Sequence, residues 1–245
     1  MPPKVVGTLR VMLGLAALVA LPARSAAAAA IGVACVGDSI TQLTGWTNKL
    51  QTHLGAAYLV ANDGVSGTTL LKKGDSPYWP TNQFTQSHTT NPAIVVIMLG
   101  TNDSKPFNWN THKGEFVGDY EALVDTYTAL PSHPRIFLNL CPPAGTNGFQ
   151  ISGPVIENEI NPMIKQIAAA KGLPIIDVFT AFGGHDFDPT LFGSAGDQVH
   201  PGDKGAQRIA DTVYAALVAA ADGGVDGATD GGTVDAKQDA KPDTT

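Results

Sequence analysis

Residues 33–42 read VACVGDSITQ, a run of small and β-branched apolar side chains that stops at Gly37, Asp38 and Ser39. Continuous apolar residues, rather than an apolar–polar alternation, mark a strand buried on both faces, as in a parallel sheet. Ligands of open α/β sheets bind beyond the carboxyl ends of the strands. A buried strand that hands a serine to solvent beside an acid is therefore a candidate mount for chemistry.

Working outward, IGVACVG (31–37) is followed by four more runs of strand length: AAYLVAN (56–62), AIVVIMLG (93–100), RIFLNLC (135–141) and PIIDVF (174–179). Helix-period segments lie between them: TGWTNKLQTHLG (44–55), EFVGDYEALVDTYTAL (115–130) and PVIENEINPMIKQIAAAKG (154–172). The last of these opens on Pro154 and stops at Gly172, the usual helix punctuation. A final helix is expected over about 202–221. Strands alternating with helices give an α/β fold with right-handed crossovers. The expectation is a flavodoxin-like three-layer sandwich whose five-stranded parallel sheet has the order 2-1-3-4-5, spanning residues 31–221.

Both ends of the 245-residue chain read differently. Residues 1–30 carry Lys4 and Arg10, a short apolar run and an alanine-rich stretch, the pattern of a secretory signal cleaved among Ala26–Ala30. The apolar run is too short for a bilayer core of roughly 30 Å, which disfavours a retained anchor. Secretion, or a periplasmic or cell-surface location, is the expectation. Residues 222–245, rich in Asp and Gly, cannot bury enough surface to offset the entropy of ordering and read as a disordered tail. Their recurring Asp residues lack the spacing of a calcium loop. The net charge of −7, with no basic cluster beyond Lys72-Lys73, disfavours nucleic acid and anionic lipid as partners. Cys35 and Cys141 are too few for a disulfide framework and sit in apolar runs, as buried free thiols do.

The predicted strand ends supply the pieces of one site. Strand one ends on Ser39, strand two on NDGVSG (62–67), strand three on GTND (100–103), and DQVHP (197–201) precedes the last helix. A serine hydroxyl needs a base within hydrogen-bond reach. His200 is placed for that role, with Asp197 ahead of it to fix the tautomer and stabilise the imidazolium. The developing oxyanion needs preorganised donors. The Ser39 N–H, the Gly67 N–H and the Asn102 side-chain amide can supply them, and the missing Cβ at Gly67 suits close backbone approach. Asp38 and Asp103 read as hydrogen-bonding turn residues rather than proton carriers. His53, His88, His112 and His133 read as surface-loop histidines. HDFD (185–188) has metal-ligand residue types without a ligand spacing, and no Gly-rich nucleotide loop follows strand one. No metal and no organic cofactor is expected.

GDSIT (37–41), NDGVSG (62–67), GTND (100–103) and DQVHP (197–201) resemble, in family order, the four blocks of the SGNH hydrolases, the GDSL-type esterases. The resemblance implies Ser39 as nucleophile, Gly67 and Asn102 as partners in the oxyanion hole, and Asp197 and His200 as the rest of a triad. Thr68 departs from the family's frequent Asp and is expected to alter substrate contacts. The G-x-S-x-G elbow of the α/β-hydrolases is absent, since Thr41 stands where its second glycine belongs. LLKKGDSPYWP (70–80) and SKPFNW (104–109) look like loops of secreted esterases acting on carbohydrate, similar to sialate O-acetylesterases and acetylxylan esterases. Trp79, Phe107 and Trp109 in those loops are candidate substrate-binding rings.

The expected function is a secreted serine esterase removing small acyl groups, acetyl foremost, from an acylated carbohydrate or other small ester. A lipase or thioesterase for longer chains and a non-catalytic carbohydrate-binding module are the alternatives. Chain-length preference separates the first, and turnover separates the second. The sequence leaves the sugar and the oligomeric state open.

Overall fold

The computed structural model describes Met1 and residues 29–222, so all but Met1, Ala29 and Ala30 of the signal read from the sequence, and all but Asp222 of the tail, lie outside the described residues. Five parallel strands form the central sheet in the order β2-β1-β3-β4-β5, as the alternation of elements predicted. They are β1 (Ile31–Gly37), β2 (Tyr58–Gly64), β3 (Ile94–Met98), β4 (Arg135–Asn139) and β5 (Ile175–Ile176).

The pleat divides the apolar residues between two faces. Ala34, Val36, Val95 and Ile97 point to one face, packed by Phe116, Tyr120, Leu123 and Tyr127 of helix α5 (Phe116–Thr128). Ile164 and Ile167 of α7 (Asn161–Lys171) close the same layer. Val33, Cys35, Val96 and Met98 point to the other face, against Trp46 and Leu50 of α2 (Trp46–Leu54) and Ile209 and Val213 of α9 (Asp203–Asp222). The remaining helices are α1 (Ser39–Leu43), α3 (Asn82–Thr89), α4 (Pro106–His112), α6 (Gly153–Val155) and α8 (Val178–Ala181). No helix among the described residues is long and apolar enough to cross a membrane.

Helix α4 occupies most of the stretch 104–109 read as a loop, and three of the expected elements differ in form. β2 is an edge strand, so Leu59 stands 66% exposed where both faces were expected to be covered. β5 holds only two residues, because Asp177 accepts the Thr180 N–H (2.8 Å) and caps α8 instead of extending the strand. The single helix read over 154–172 is divided by a π-helical turn, Ile156–Ile160, between α6 and α7. Pro162 lies just after it, where its missing N–H forbids the ordinary i−4 bond and a wider turn absorbs the defect. The helix ends as expected, on Gly172 in the left-handed region (φ 64°).

The expected surface-loop histidines also move. His53, His88 and His112 lie on α2, α3 and α4, and His88 is half-buried with its ring stacked on Tyr127, 4.2 Å between centroids. His133 alone of the four sits in a turn. Cys35 and Cys141 are both free and buried.

Candidate active site

The site forms where β1, β2 and β3 end and a short antiparallel hairpin, β6 (Phe192–Ser194) with β7 (Asp197–Pro201), folds over them. Asp197 and His200 therefore sit on a paired strand, not in the open loop read from the sequence.

β1 passes directly into α1. Asp38 caps that helix, its Oδ1 accepting the Ile40 N–H at 2.9 Å. Ser39 follows as the first helical residue, and the N–H groups of a first turn have no intrahelical acceptor. The turn is tight: a Cβ on Gly37 would lie 2.1 Å from Thr41 Oγ1 and 3.0 Å from the Met98 carbonyl oxygen. Only glycine lets β1 hand over to α1 at this angle.

Ser39 Oγ lies 2.9 Å from His200 Nε2. His200 Nδ1 lies 2.9 Å from Asp197 Oδ2 and 3.1 Å from Oδ1. An ionised carboxylate only accepts, so Nδ1 carries the proton and Nε2 is left to accept from the serine hydroxyl. Asp197 Oδ1 also accepts the backbone N–H groups of His200 (3.1 Å) and Val199 (3.2 Å). Partial burial opposes ionisation of Asp197, but these N–H groups and the His200 ring outweigh it and hold the carboxyl below its ordinary range.

The other two strand ends bring Gly67 and Asn102 to the same cleft as Ser39. Val65–Thr68 forms a turn closed by Thr68 N–H to the Val65 carbonyl (3.3 Å), with Gly67 at φ 79°. A positive φ at that third position is what glycine supplies. A Cβ there would meet nothing within 4 Å, so backbone conformation rather than crowding selects it. The Gly67 N–H has no backbone acceptor among the described residues. Asn102 Nδ2 gives one hydrogen to the Thr68 carbonyl (3.1 Å), which orients the amide and leaves its second hydrogen for the cleft. Thr68 itself is buried, its Oγ1 donating to the Val65 carbonyl at 2.8 Å. It shapes the turn and is not among the residues lining the cleft, whereas the sequence reading expected it to alter substrate contacts.

Asp103 ties the strand-two and strand-three loops together. Its carboxylate accepts the Leu70 and Leu71 N–H groups at 2.9 and 2.8 Å. Complete burial nevertheless raises it to about 7, the two N–H groups opposing. Asp38 is raised to about 6 by burial, against the pull of the Ile40 N–H. Both act as turn anchors, as read from the sequence.

These loops enclose a cleft of ≈ 190 Å³ lined by Ser39, Ser66, Gly67, Asn102, Phe149 and His200, among others. The three expected substrate rings do not line it. Trp109 is 1% exposed and packs edge-on against Phe116 in the core. Trp79 donates its indole N–H to the Leu70 carbonyl (2.8 Å) and lies against Phe84. Phe107 is exposed but stands outside the cleft. The ring that does reach the cleft is Phe149, in the loop after β4, together with Ile151 and Lys105. The rule that placed the other pieces at strand ends applied to that loop too, and TNGF (146–149) carries its turn signal. Among the described residues no group of three or more His, Cys, Asp or Glu side chains could hold a metal ion.

With this geometry in hand, the relatives are informative. Residues 35–208 match the model of the GDSL-like Lipase/Acylhydrolase family. Over 213 residues the chain is 36% identical to an acetylxylan esterase of Xylanibacter ruminicola, a match covering 77% of this chain and 43% of that protein. The chain thus spans less than half the length of this relative. A carbohydrate acetylesterase family member from Sinorhizobium meliloti superposes with a TM-score of 0.60 at 21% identity, covering 76% of this chain and 97% of the other. A GDSL-like lipase from Bacteroides thetaiotaomicron gives 0.59 at 22% identity, covering 77% and 88%. At such identities these two speak for the fold alone. The family match spans all the blocks that build the cleft, and the chain belongs to the GDSL-like lipase/acylhydrolase family.

Proposed function

We propose that the chain is a carboxylic ester hydrolase that removes small acyl groups, acetyl foremost, from carbohydrate through a Ser39–His200–Asp197 triad. The observation that carries this reading is the continuous relay from Asp197 through His200 to Ser39 Oγ, opening into the cleft. His200 Nε2 takes the Ser39 proton as Oγ bonds to the ester carbonyl carbon. The N–H groups of Ser39 and Gly67 and the Asn102 amide stabilise the resulting oxyanion. Its collapse breaks the bond to the alcohol oxygen, which receives the proton from His200. Water then attacks the acyl-enzyme, giving its proton to His200. The second collapse returns that proton to Ser39 and releases the acid.

The cleft's ≈ 190 Å³ falls below the roughly 300–1,000 Å³ of drug-sized sites, which favours a short acyl group over a long chain. The name of the acetylxylan esterase relative supports acetyl and carbohydrate. The N-terminal reading supports export. Ser39→Ala is expected to abolish hydrolysis of 4-nitrophenyl acetate and leave the melting temperature within about 2 °C, because one cleft hydroxyl is removed and no packing changes. Residual turnover at the wild-type rate would sink the assignment. Octanoate turned over as well as acetate would transfer the reading to a lipase.

A further inference from the structure

The loop after β4 does none of the chemistry above, yet it is densely hydrogen-bonded, both to itself and to its neighbours. Asn147 closes it on itself. Its Oδ1 accepts the Phe149 and Ile151 N–H groups (3.0 and 3.1 Å), and its Nδ2 donates to the Gly145 and Ile151 carbonyls (2.8 and 3.0 Å). Gln198 of β7 stitches the loop to the strand that carries Asp197 and His200. Gly145 N–H donates to the Gln198 carbonyl (3.0 Å), Gln198 N–H to the Thr146 carbonyl (2.9 Å), and Thr146 N–H to Gln198 Oε1 (2.8 Å). At the far end Ser152 N–H donates to Ser104 Oγ (3.0 Å), beside the strand-three block. Gln150 is held at φ 63°, a strained value for a side chain of its kind, which persists only where surroundings over-determine it.

This bracing delivers one side chain to one place. The Phe149 ring stands edge-on to His200, 5.0 Å between centroids and 86° between planes, and remains 46% exposed. Trp109, Phe116 and Tyr120 are buried, and Phe107, although exposed, does not line the cleft.

Acid catalysis fixes what must lie there. His200 Nε2 has to reach the oxygen of the departing alcohol, so the ring bearing that oxygen sits on the His200 side of the cleft. The oxyanion donors come from other loops. We propose that Phe149, flanked by Ile151, is the platform on which the ring of the leaving alcohol rests, and that it makes the enzyme selective for ring-bearing over small open-chain alcohols. This rests on the esterase reading and deepens it. The shallow depression beyond Ile151, lined by Pro106, Gln150 and Ser152, continues the same surface and offers room for the next ring of a polymer.

The test compares wild type, Phe149→Ala and Phe149→Tyr on three acetate esters by proton release at constant pH. They are ethyl acetate, phenyl acetate and an O-acetylated methyl xyloside. Phe149→Ala is expected to lose about tenfold in kcat/KM on both ring esters, chiefly through KM, and less than about twofold on ethyl acetate. Phe149→Tyr should retain wild-type values. An equal loss on all three esters overturns the proposal, since the ring would then only position His200. No loss on any overturns it as well. Wild-type turnover of phenyl and ethyl acetate without turnover of the xyloside rejects the carbohydrate assignment, while the phenyl-to-ethyl comparison still decides the role of Phe149. Absence of turnover on all three rejects both.

Discussion

At the scale of single residues, the site depends on which atom of His200 bears the proton. Asp197 imposes that choice because a carboxylate can only accept. In Asp197→Asn an amide hydrogen would face Nδ1 and drive the proton to Nε2, where it blocks acceptance from Ser39. Turnover is expected to fall by about 10⁴ with little change in melting temperature, read from kcat and a thermal scan. Asn102→Ala removes one of the proposed oxyanion donors and is expected to lower kcat by roughly 10²–10³ at nearly constant KM. Ser39, Gly67, Asn102 and His200 were legible because each stands in a short block with a chemical reason for its type, whereas Lys105 lies outside the blocks. The aromatic members were not legible. A ring in a stretch read as a loop carries no local mark of which way it turns: Trp109, which the structure places on α4, turned into the core, while Phe149 turned to the cleft.

At the scale of elements, precision comes from handovers between strands and helices. β1 reaches Ser39 through Gly37, where a Cβ would sit 2.7 Å from Thr41 Cβ. Gly37→Ala is expected to push α1 off the strand end, costing about 1–3 kcal/mol or more in chemical denaturation. Displacing Ser39, the proposed nucleophile, by about 1 Å is also expected to cost on the order of 10²-fold in kcat. The five-strand order was legible from the run of alternating strands and helices, because crossover handedness leaves few arrangements. The length of β5 was not, because Asp177 could continue a strand or cap a helix. The outcome was set by the Thr180 N–H it meets. The hairpin that bears His200 was equally hidden, since β6 is too short to announce itself.

At the scale of the whole molecule, three acids are buried at the carboxyl ends of β1, β2 and β3. Asp38 and Asp63 are raised to about 6 and Asp103 to about 7, each chiefly by burial. A carboxyl raised above its unfolded value binds protons more tightly in the folded chain. Between about pH 4 and pH 7 the folded protein therefore holds more protons than the unfolded one, and these groups reduce stability as pH rises through that window. Asp197 works in the opposite sense: its contribution is present above the unfolded value and is lost as pH falls through its lowered folded one. Both oxygens of Asp63 are buried without a hydrogen-bond partner among the described residues, so it is the cleanest probe. Asp63→Asn is expected to gain stability relative to wild type at pH 8 compared with pH 4, by on the order of 2–3 kcal/mol in denaturant midpoints. An equal difference at both pH values would show that Asp63 is not the group that titrates.

Residues close in the chain determined much of this protein on their own. Strand and helix periodicity, the glycine and acid at the end of β1, and the four polar blocks are local patterns, and local geometry dictates them. Packing between segments far apart decided the rest. Which rings face the cleft, how short β5 is, and where the loop carrying Phe149 is braced all depend on partners remote in sequence. Gln198 lies 52 residues from Thr146, and Ser104 lies 48 from Ser152. A side chain's direction is settled by the free energy of burying it against such partners, and no window of neighbouring residues contains that term.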